Sequence, residues 1–311
     1  MDTRVLAIAA ALALALATQA PSVLAAPTVT AHVAATPLSS GTTQCDGVYE
    51  GAGKVVHVAT GAICTLAAGA TLTSGVRVEH GGSLVVEGAT IGGGLDTTDP
   101  KAIQIGGSQR TVIKGGVQIS GLEGGPSGGA DNFICNASIG SFLIVNRSVA
   151  AAAPMVIGGK PDCQAGVSIG GNLEIFGNAN AIDVSNSSGR LSWILTNNFA
   201  PLLVESNRLG ADLMVSTNRS KVSVLSNRVH GTVTVNSNSR GAVVSANSAG
   251  RDLAVEGDVK VEVSANHAGR YATCAHNRPA ATGAGNTARK SIRGCPAHQL
   301  PQAHARRRPI A

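Results

Sequence analysis

Carboxylates, histidines, one glycine-flanked serine and six cysteines are the side chains of this sequence that could do chemistry. Two facing carboxylates could cleave a glycosidic bond, and a tighter group could hold calcium. Glu256, Asp258 and Glu262 crowd together and read as a solvated face, while Asp96 and Asp99 flank Thr97-Thr98 before Pro100 in the pattern of a β-turn. His57, His80 and His230 stand singly, without the H-x-x-x-H or H-E-x-x-H spacing of a metal site, and read as surface residues. Gly125-Pro126-Ser127-Gly128-Gly129 matches G-x-S-x-G, but a nucleophile elbow needs a strand before it and a helix after it. Proline and glycines make this run a loop instead. Gly53-Lys54 lacks the earlier glycine and following hydroxyl of a phosphate loop. No catalytic, cofactor-binding or metal-binding set is expected from these spacings.

The elements that would have to position such residues are strands. Between Asn172 and Gly269 the chain repeats every 20 residues. Leu173, Trp193, Leu213, Val233 and Leu253 form one apolar column, with Ile175, Leu195, Val215, Val235 and Val255 two residues on. Ile182, Leu202, Val222, Ala242 and Val261 form a third, and Val184, Val204, Val224, Val244 and Val263 a fourth, with one position lost near Gly257. Each repeat thus carries two apolar-x-apolar segments, the period of half-buried strands.

Asparagine recurs with the same period. Asn178, Asn198, Asn218 and Asn238 form one column, which Asp258 continues; Asn207, Asn227, Asn247 and Asn266 form another. Asparagine tolerates the left-handed backbone of a tight corner, and stacked carboxamides can bond coil to coil. Gly189, Gly210, Gly250 and Gly269 are expected to close the other bends. Twenty residues are too few for two strands and a helical crossover. They suit one coil of a single parallel β-helix, an all-β solenoid whose right hand follows from the crossover preference.

The amino-terminal half has the same grammar less regularly, in Val76–Val78, Leu84–Val86, Ile103–Ile105, Val117–Ile119 and Val167–Ile169. Leu122–Asn132 and Ala150–Asp162 interrupt it and read as projecting loops. The expected organisation is a signal peptide at 1–25, a flexible leader at 26–43, the β-helix at 44–277 and a basic extension at 278–311. The signal reading rests on Arg4, the apolar run Val5–Ala17 and the small residues of Val23-Leu24-Ala25, a run too short to span a membrane. No later segment is apolar for long enough to be a transmembrane span, so the expected location is secreted, extracellular or periplasmic.

An even cysteine count in an exported chain reads as disulfides, and the absence of C-x-x-C argues against zinc or redox use. Residues one coil apart lie within disulfide reach. Cys45 and Cys64 are 19 apart and Cys274 and Cys295 are 21 apart, so both pairs fit staples at the solenoid's ends. Cys135 and Cys163, 28 apart, fit one coil plus a loop.

The formal net charge is +6, yet no acid follows Glu262. The basic surplus is therefore assigned to Arg270, Arg278, Arg289, Lys290, Arg293 and the terminal Arg306-Arg307-Arg308, a candidate contact for an acidic polymer or envelope surface. Aromatics are only 2% of the residues, which disfavours stacking clefts for sugars or bases.

Ser168-Ile169-Gly170-Gly171-Asn172-Leu173-Glu174-Ile175, with Val-x-x-Asn-x-x-Gly at Val204–Gly210 and Val244–Gly250, resembles secreted bacterial right-handed β-helix proteins built on GGNLxVxxN repeats. The resemblance spans roughly Cys45 to Cys295 and implies a coil, with no activity attached. Together these readings point to an exported non-catalytic β-solenoid acting as a structural or surface-interaction protein. A polysaccharide lyase or glycoside hydrolase on the same scaffold is the alternative, to be distinguished by whether acids converge with Lys or Arg on one exposed sheet face.

Overall fold

The computed structural model describes residues 37–38, 41–126, 131–159, 163 and 165–297. They wind into a parallel β-solenoid of about 12 coils of roughly 20 residues, and among the described residues no helix is long and apolar enough to cross a membrane. The first sheet has 14 strands, the second 11 and the third 12. Every pairing is parallel except Pro37–Leu38 with Thr42–Gln44, which folds an antiparallel hairpin onto the first coil.

One coil shows the pattern. Leu213–Ser216 lies in the first sheet, Val222–Leu225 in the second and Arg228–Val229 in the third, before Val233–Asn236 returns to the first. Leu213 pairs with Val233, Val222 with Ala242 and Val229 with Ala249, so like side chains lie over like. The expected columns all point inward: Val204, Val224 and Val244 are fully buried, as is Trp193. The third sheet was not expected. Thr111–Ile113, Ala137–Ile139 and Val167–Ile169 turn in two side chains each, but its other strands are two residues long and turn in at most one, too short a segment to show alternation.

The asparagine columns are hydrogen-bonded ladders. Asn178 Nδ2 donates to Asn198 Oδ1, Asn198 to Asn218 and Asn218 to Asn238, each at 3.0 Å. Each Oδ1 also accepts the backbone N–H of the residue one coil before it, as Asn218 Oδ1 does from Asn198 at 3.0 Å. Each Nδ2 donates a second bond to a strand carbonyl, Asn218 to Leu195 at 3.3 Å. Asn207, Asn227, Asn247 and Asn266 repeat this at the second corner, and Asn286 extends the file by one coil. Every capacity of these buried carboxamides is thereby used.

The strained position is the residue before each ladder asparagine. Asn197, Thr217 and Ser237 have φ of 55°, 52° and 56°, and Ser206, Ser226 and Ala246 match them at the second corner. The left-handed conformation expected of the ladder residues thus belongs to their neighbours, because a carboxamide must aim along the stack from ordinary backbone. Gly189 likewise closes no bend. It occupies the inward column of the third sheet, between Ile169 and Leu209, and a Cβ there would collide with the Trp193 indole.

Four other expectations need correction. Leu95–Thr98 is a strand, so Asp96 and Asp99 do not flank a turn. Met155–Gly158, inside the expected Ala150–Asp162 loop, pairs with Asn132–Ile134 and Ile182–Ser185, with Pro154 just outside it. Asp258 belongs to no solvated face; it is fully buried and forms a rung of the first ladder, which Asn277 continues by one coil. Sheet pairing also passes the expected borders at 44 and 277: Thr42–Gln44 pairs with the next coil, and Thr287–Ala288 and Ser291–Arg293 extend two sheets. Arg278, Arg289, Lys290 and Arg293 are therefore part of the coil.

Three disulfides hold neighbouring coils, Cys45–Cys64, Cys135–Cys163 and Cys274–Cys295, with Cα separations of 5.4, 6.2 and 4.7 Å. The first and last lie at the ends, where a terminal coil has one neighbour rather than two.

Asp258 is the ladder's chemical exception. Its Oδ1 accepts from Asn238 N and Nδ2 at 2.8 Å each, but buried Oδ2 has no partner. Burial pushes the carboxyl above the usual carboxylate range, against the two Asn238 bonds that favour its charged form. The native state therefore holds this proton over a pH window in which the unfolded chain has lost it, and stability falls as pH rises through that window. In Asp258→Asn an Nδ2 would replace the orphaned oxygen and could donate to Asn277 Oδ1, as in every coil before it. Urea unfolding between pH 4 and 8 is expected to show the variant more stable by about 1–2 kcal/mol at neutral pH, with that pH dependence flattened.

Candidate functional site

Because the interior is filled by columns and ladders, functional groups lie on the outer faces, where each strand turns out every second residue. Three clusters arise there.

The first is on the first sheet near the amino-terminal end. His57, Arg77, Asp96 and Gln118 stack outward in successive coils. Glu79 Oε1 lies 3.1 Å from both His57 Nε2 and Arg77 Nε. Beside them Asp96, Asp99, Gln118, Ser120 and Arg147 line a hollow of ≈330 Å³. At the following corner His80 Nδ1 stands 3.6 Å from Glu123 Oε2. His57 and His80 are therefore not solitary, and acids do converge with arginine on one exposed face. The exposed Arg77 pair adds little stability; its interest is placement. This cluster was missed because its coils are not 20 residues long. Arg77 to Asp96 is a step of 19 and Asp96 to Gln118 a step of 22. Pairing the irregular amino-terminal strands by their apolar ends would have revealed it.

The second cluster is on the second sheet. Asp183 pairs in register with Leu203, and Ser185 with Glu205, so the two acids sit one coil and two residues apart. Asp183 Oδ1 is buried without a hydrogen-bond partner. Burial raises the Asp183 carboxyl above its usual range, the Glu205 charge adds to the rise and the Ser185 hydroxyl opposes it. Pro154, Pro201, Leu203, Lys221 and Ser223 complete a hollow of ≈310 Å³ around Asp183. Two carboxyls on one outer face, one of them raised by burial, are the kind of pair that acid–base chemistry uses. The combined step of one coil plus two residues hid this pair, since Asp183 has no acid directly above or below it.

The third cluster follows the third sheet and its corner into the first. Arg208 stacks on Arg228. Arg251, Arg270 and Lys290 follow in one file, with Arg270 N donating to Arg251 O and Lys290 N to Arg270 O at 2.8 Å each. Arg190, Arg208 and His230 border a hollow of ≈370 Å³. Arg270 Nε is 3.7 Å from Asp252, and Arg270 and Lys290 both lie over the Tyr271 ring at 5.7 and 5.4 Å. From the coil of Arg190 to that of Lys290 is five steps, about 24 Å at ~4.8 Å per coil. The basic surplus assigned to a tail is thus partly a stripe on the folded body. Its amino-terminal members were masked in the sequence because acids elsewhere in the body offset their charge in the total.

Residues 1–36, which include the expected signal peptide, lie outside the described residues, as do Ser127–Ala130 of the glycine loop and Arg306, Arg307 and Arg308. Compared with protein-family models, curated proteins and solved structures, the chain matches none.

Glu205→Gln removes the charge that adds to the Asp183 shift and leaves its burial in place. Carbon-13 titration of the Asp183 carboxyl is expected to show its pKa move down, while staying above the usual aspartate range.

Proposed function

We propose that this chain is an exported, non-catalytic β-solenoid that lies against a linear anionic polymer outside the cytoplasm. It grips the polymer along the edge where the third sheet turns into the first. The observation that carries this reading is two neighbouring files, Arg208 and Arg228 on the third sheet and Arg251, Arg270 and Lys290 at the corner beyond it, which together repeat positive charge at coil spacing on a rigid wall. A linear polyanion laid along the axis meets one cation after another, and each contact releases counterions. Tyr271 between Arg270 and Lys290 offers an apolar surface beside two charges.

Export rests on residues 1–25 read as a signal peptide, followed by a leader, and on three disulfides of the kind that persist in oxidising compartments. In this reading Arg306, Arg307 and Arg308 add positive charge for the same polymer, and no cofactor is needed. The asparagine ladders and disulfides supply stiffness, which keeps the cations in line without an ordering cost on binding.

A second reading, cleavage of an acidic polysaccharide, is favoured by the Asp183–Glu205 pair and by the convergence of Glu79 and Asp96 with Arg77. The two separate cleanly. Polygalacturonate binding by the mature chain is expected to weaken at least tenfold in Arg208→Glu/Arg228→Glu, with a shallower dependence of log affinity on log salt. Asp183→Asn/Glu205→Gln is expected to bind as before, and no reducing or unsaturated ends are expected from the wild type. Unchanged binding in the arginine variant would refute the proposal. Release of sugar ends that stops in the carboxylate variant would establish the second reading. A chain lacking residues 298–311 measures what the tail adds.

A further inference from the structure

We infer that His80, Asp99 and Glu123 form a binding site for a divalent transition-metal ion of the Zn²⁺ type, at the corner where the first sheet leaves its amino-terminal coils. One ligand atom from each residue, a ring nitrogen and two carboxylate oxygens, lies within 4.8 Å of the other two.

The solenoid's register brings the three together. Val76, Leu95 and Val117 are paired neighbours in the first sheet, and the same register carried four residues on places His80, Asp99 and Gly121 over one another. Gly81 N donates to Asp99 O, Asp99 N to Ser120 O and Gly121 N to Asn146 O, each at 2.8 Å, so the backbone beneath the cluster is fixed. Glu123 follows two residues after Gly121, its N–H bound to Pro100 O at 2.9 Å. Asp99 has φ of 45°, the corner conformation, which is admissible for aspartate. A side chain at 121 would collide with the Asp99 carboxylate, so Gly121 leaves the space in which that carboxylate lies.

The side chains have no stronger engagement elsewhere. Among the described residues no lysine or arginine forms an ion pair with Asp99 or Glu123, and neither carboxylate accepts a hydrogen bond from another residue. The 3.6 Å between His80 Nδ1 and Glu123 Oε2 is long for a hydrogen bond. It is close to the separation of about 3.4 Å between two ligands held tetrahedrally at ~2.1 Å from one ion. Rotation of the exposed His80 and Glu123 side chains toward the half-buried Asp99 carboxylate can bring all three ligand atoms, which already lie within 4.8 Å of one another, to that separation.

The donor set selects the ion. A ring nitrogen with two carboxylate oxygens suits zinc and its neighbours, whereas calcium and magnesium favour oxygen alone. Three protein ligands leave a fourth position for water. The ion would tie two successive coils to the first residues of the 123–131 segment, as disulfides tie coils elsewhere. That role is independent of polymer binding at the opposite end of the solenoid.

The test is calorimetric titration of the full mature chain with ZnCl₂, with CaCl₂ as the contrasting ion and thermal melts of each sample. One Zn²⁺ per chain is expected, with a higher Tm on loading and no comparable response to Ca²⁺. His80→Ala and Glu123→Gln are each expected to weaken Zn²⁺ at least tenfold and to abolish the rise in Tm, while their metal-free Tm stays at the wild-type value. Asp99→Asn keeps the corner backbone and should weaken binding as well. His230→Ala, on another face, should behave as wild type. Absence of Zn²⁺ uptake, or wild-type affinity in both His80→Ala and Glu123→Gln, would overturn the inference.

Discussion

Vertical stacking of identical buried carboxamides is the constraint on which this fold depends. A corner buried against its neighbours leaves backbone N–H and C=O groups without water, and each must find a partner. An asparagine pointing along the axis supplies what is missing at each level. Its oxygen takes two donors from the coil before it, and its nitrogen serves a carbonyl and the next oxygen. The arrangement works only if every coil keeps the same height and register. One slipped coil would orphan several buried groups, at about 1–3 kcal/mol each. The apolar columns favour compactness without choosing among registers; the ladders choose.

That division explains what could be read directly. The four inward columns and the two asparagine files repeat with one period, so class, coil length and the cysteine pairs at separations of 19 and 21 were legible from spacing alone. The third sheet was legible only at Val167–Ile169, because a two-residue strand with one inward side chain, such as Arg208–Leu209, carries no alternation. The left-handed corners were placed one residue late, since the conspicuous asparagine is the one that bonds and the inconspicuous Thr217 or Ser226 is the one that bends. Where coils run to 19 or 22 residues, stacked groups such as Arg77 and Asp96 lose their shared period. There spacing alone failed, and only the register recovered the cluster.

The same constraint determines where function can reside. With the interior and corners committed to packing and hydrogen bonding, variation is left to outward positions and to the short strands of the third sheet. Charges placed there cost little stability where they stay exposed, more where burial reaches them as at Asp183, and they inherit the regular spacing of the scaffold. The stripe from Arg208 to Lys290, the Asp183–Glu205 pair and the His80–Asp99–Glu123 corner are three uses of that freedom, on different faces. Asp258 shows the opposite case, a charge-capable residue inside the ladder whose environment favours the protonated form.

The most direct test of the ladder is proton NMR of the side-chain amides of Asn198, Asn218 and Asn238. Both Nδ2 protons of each residue are donated to buried acceptors, so the account predicts two well-resolved resonances per residue. Their exchange with solvent should be slowed by orders of magnitude relative to an exposed asparagine, and should be similar in all three. Exchange at the rate of a free carboxamide would show that the coils do not stack through these groups, and the account of the fold would be wrong.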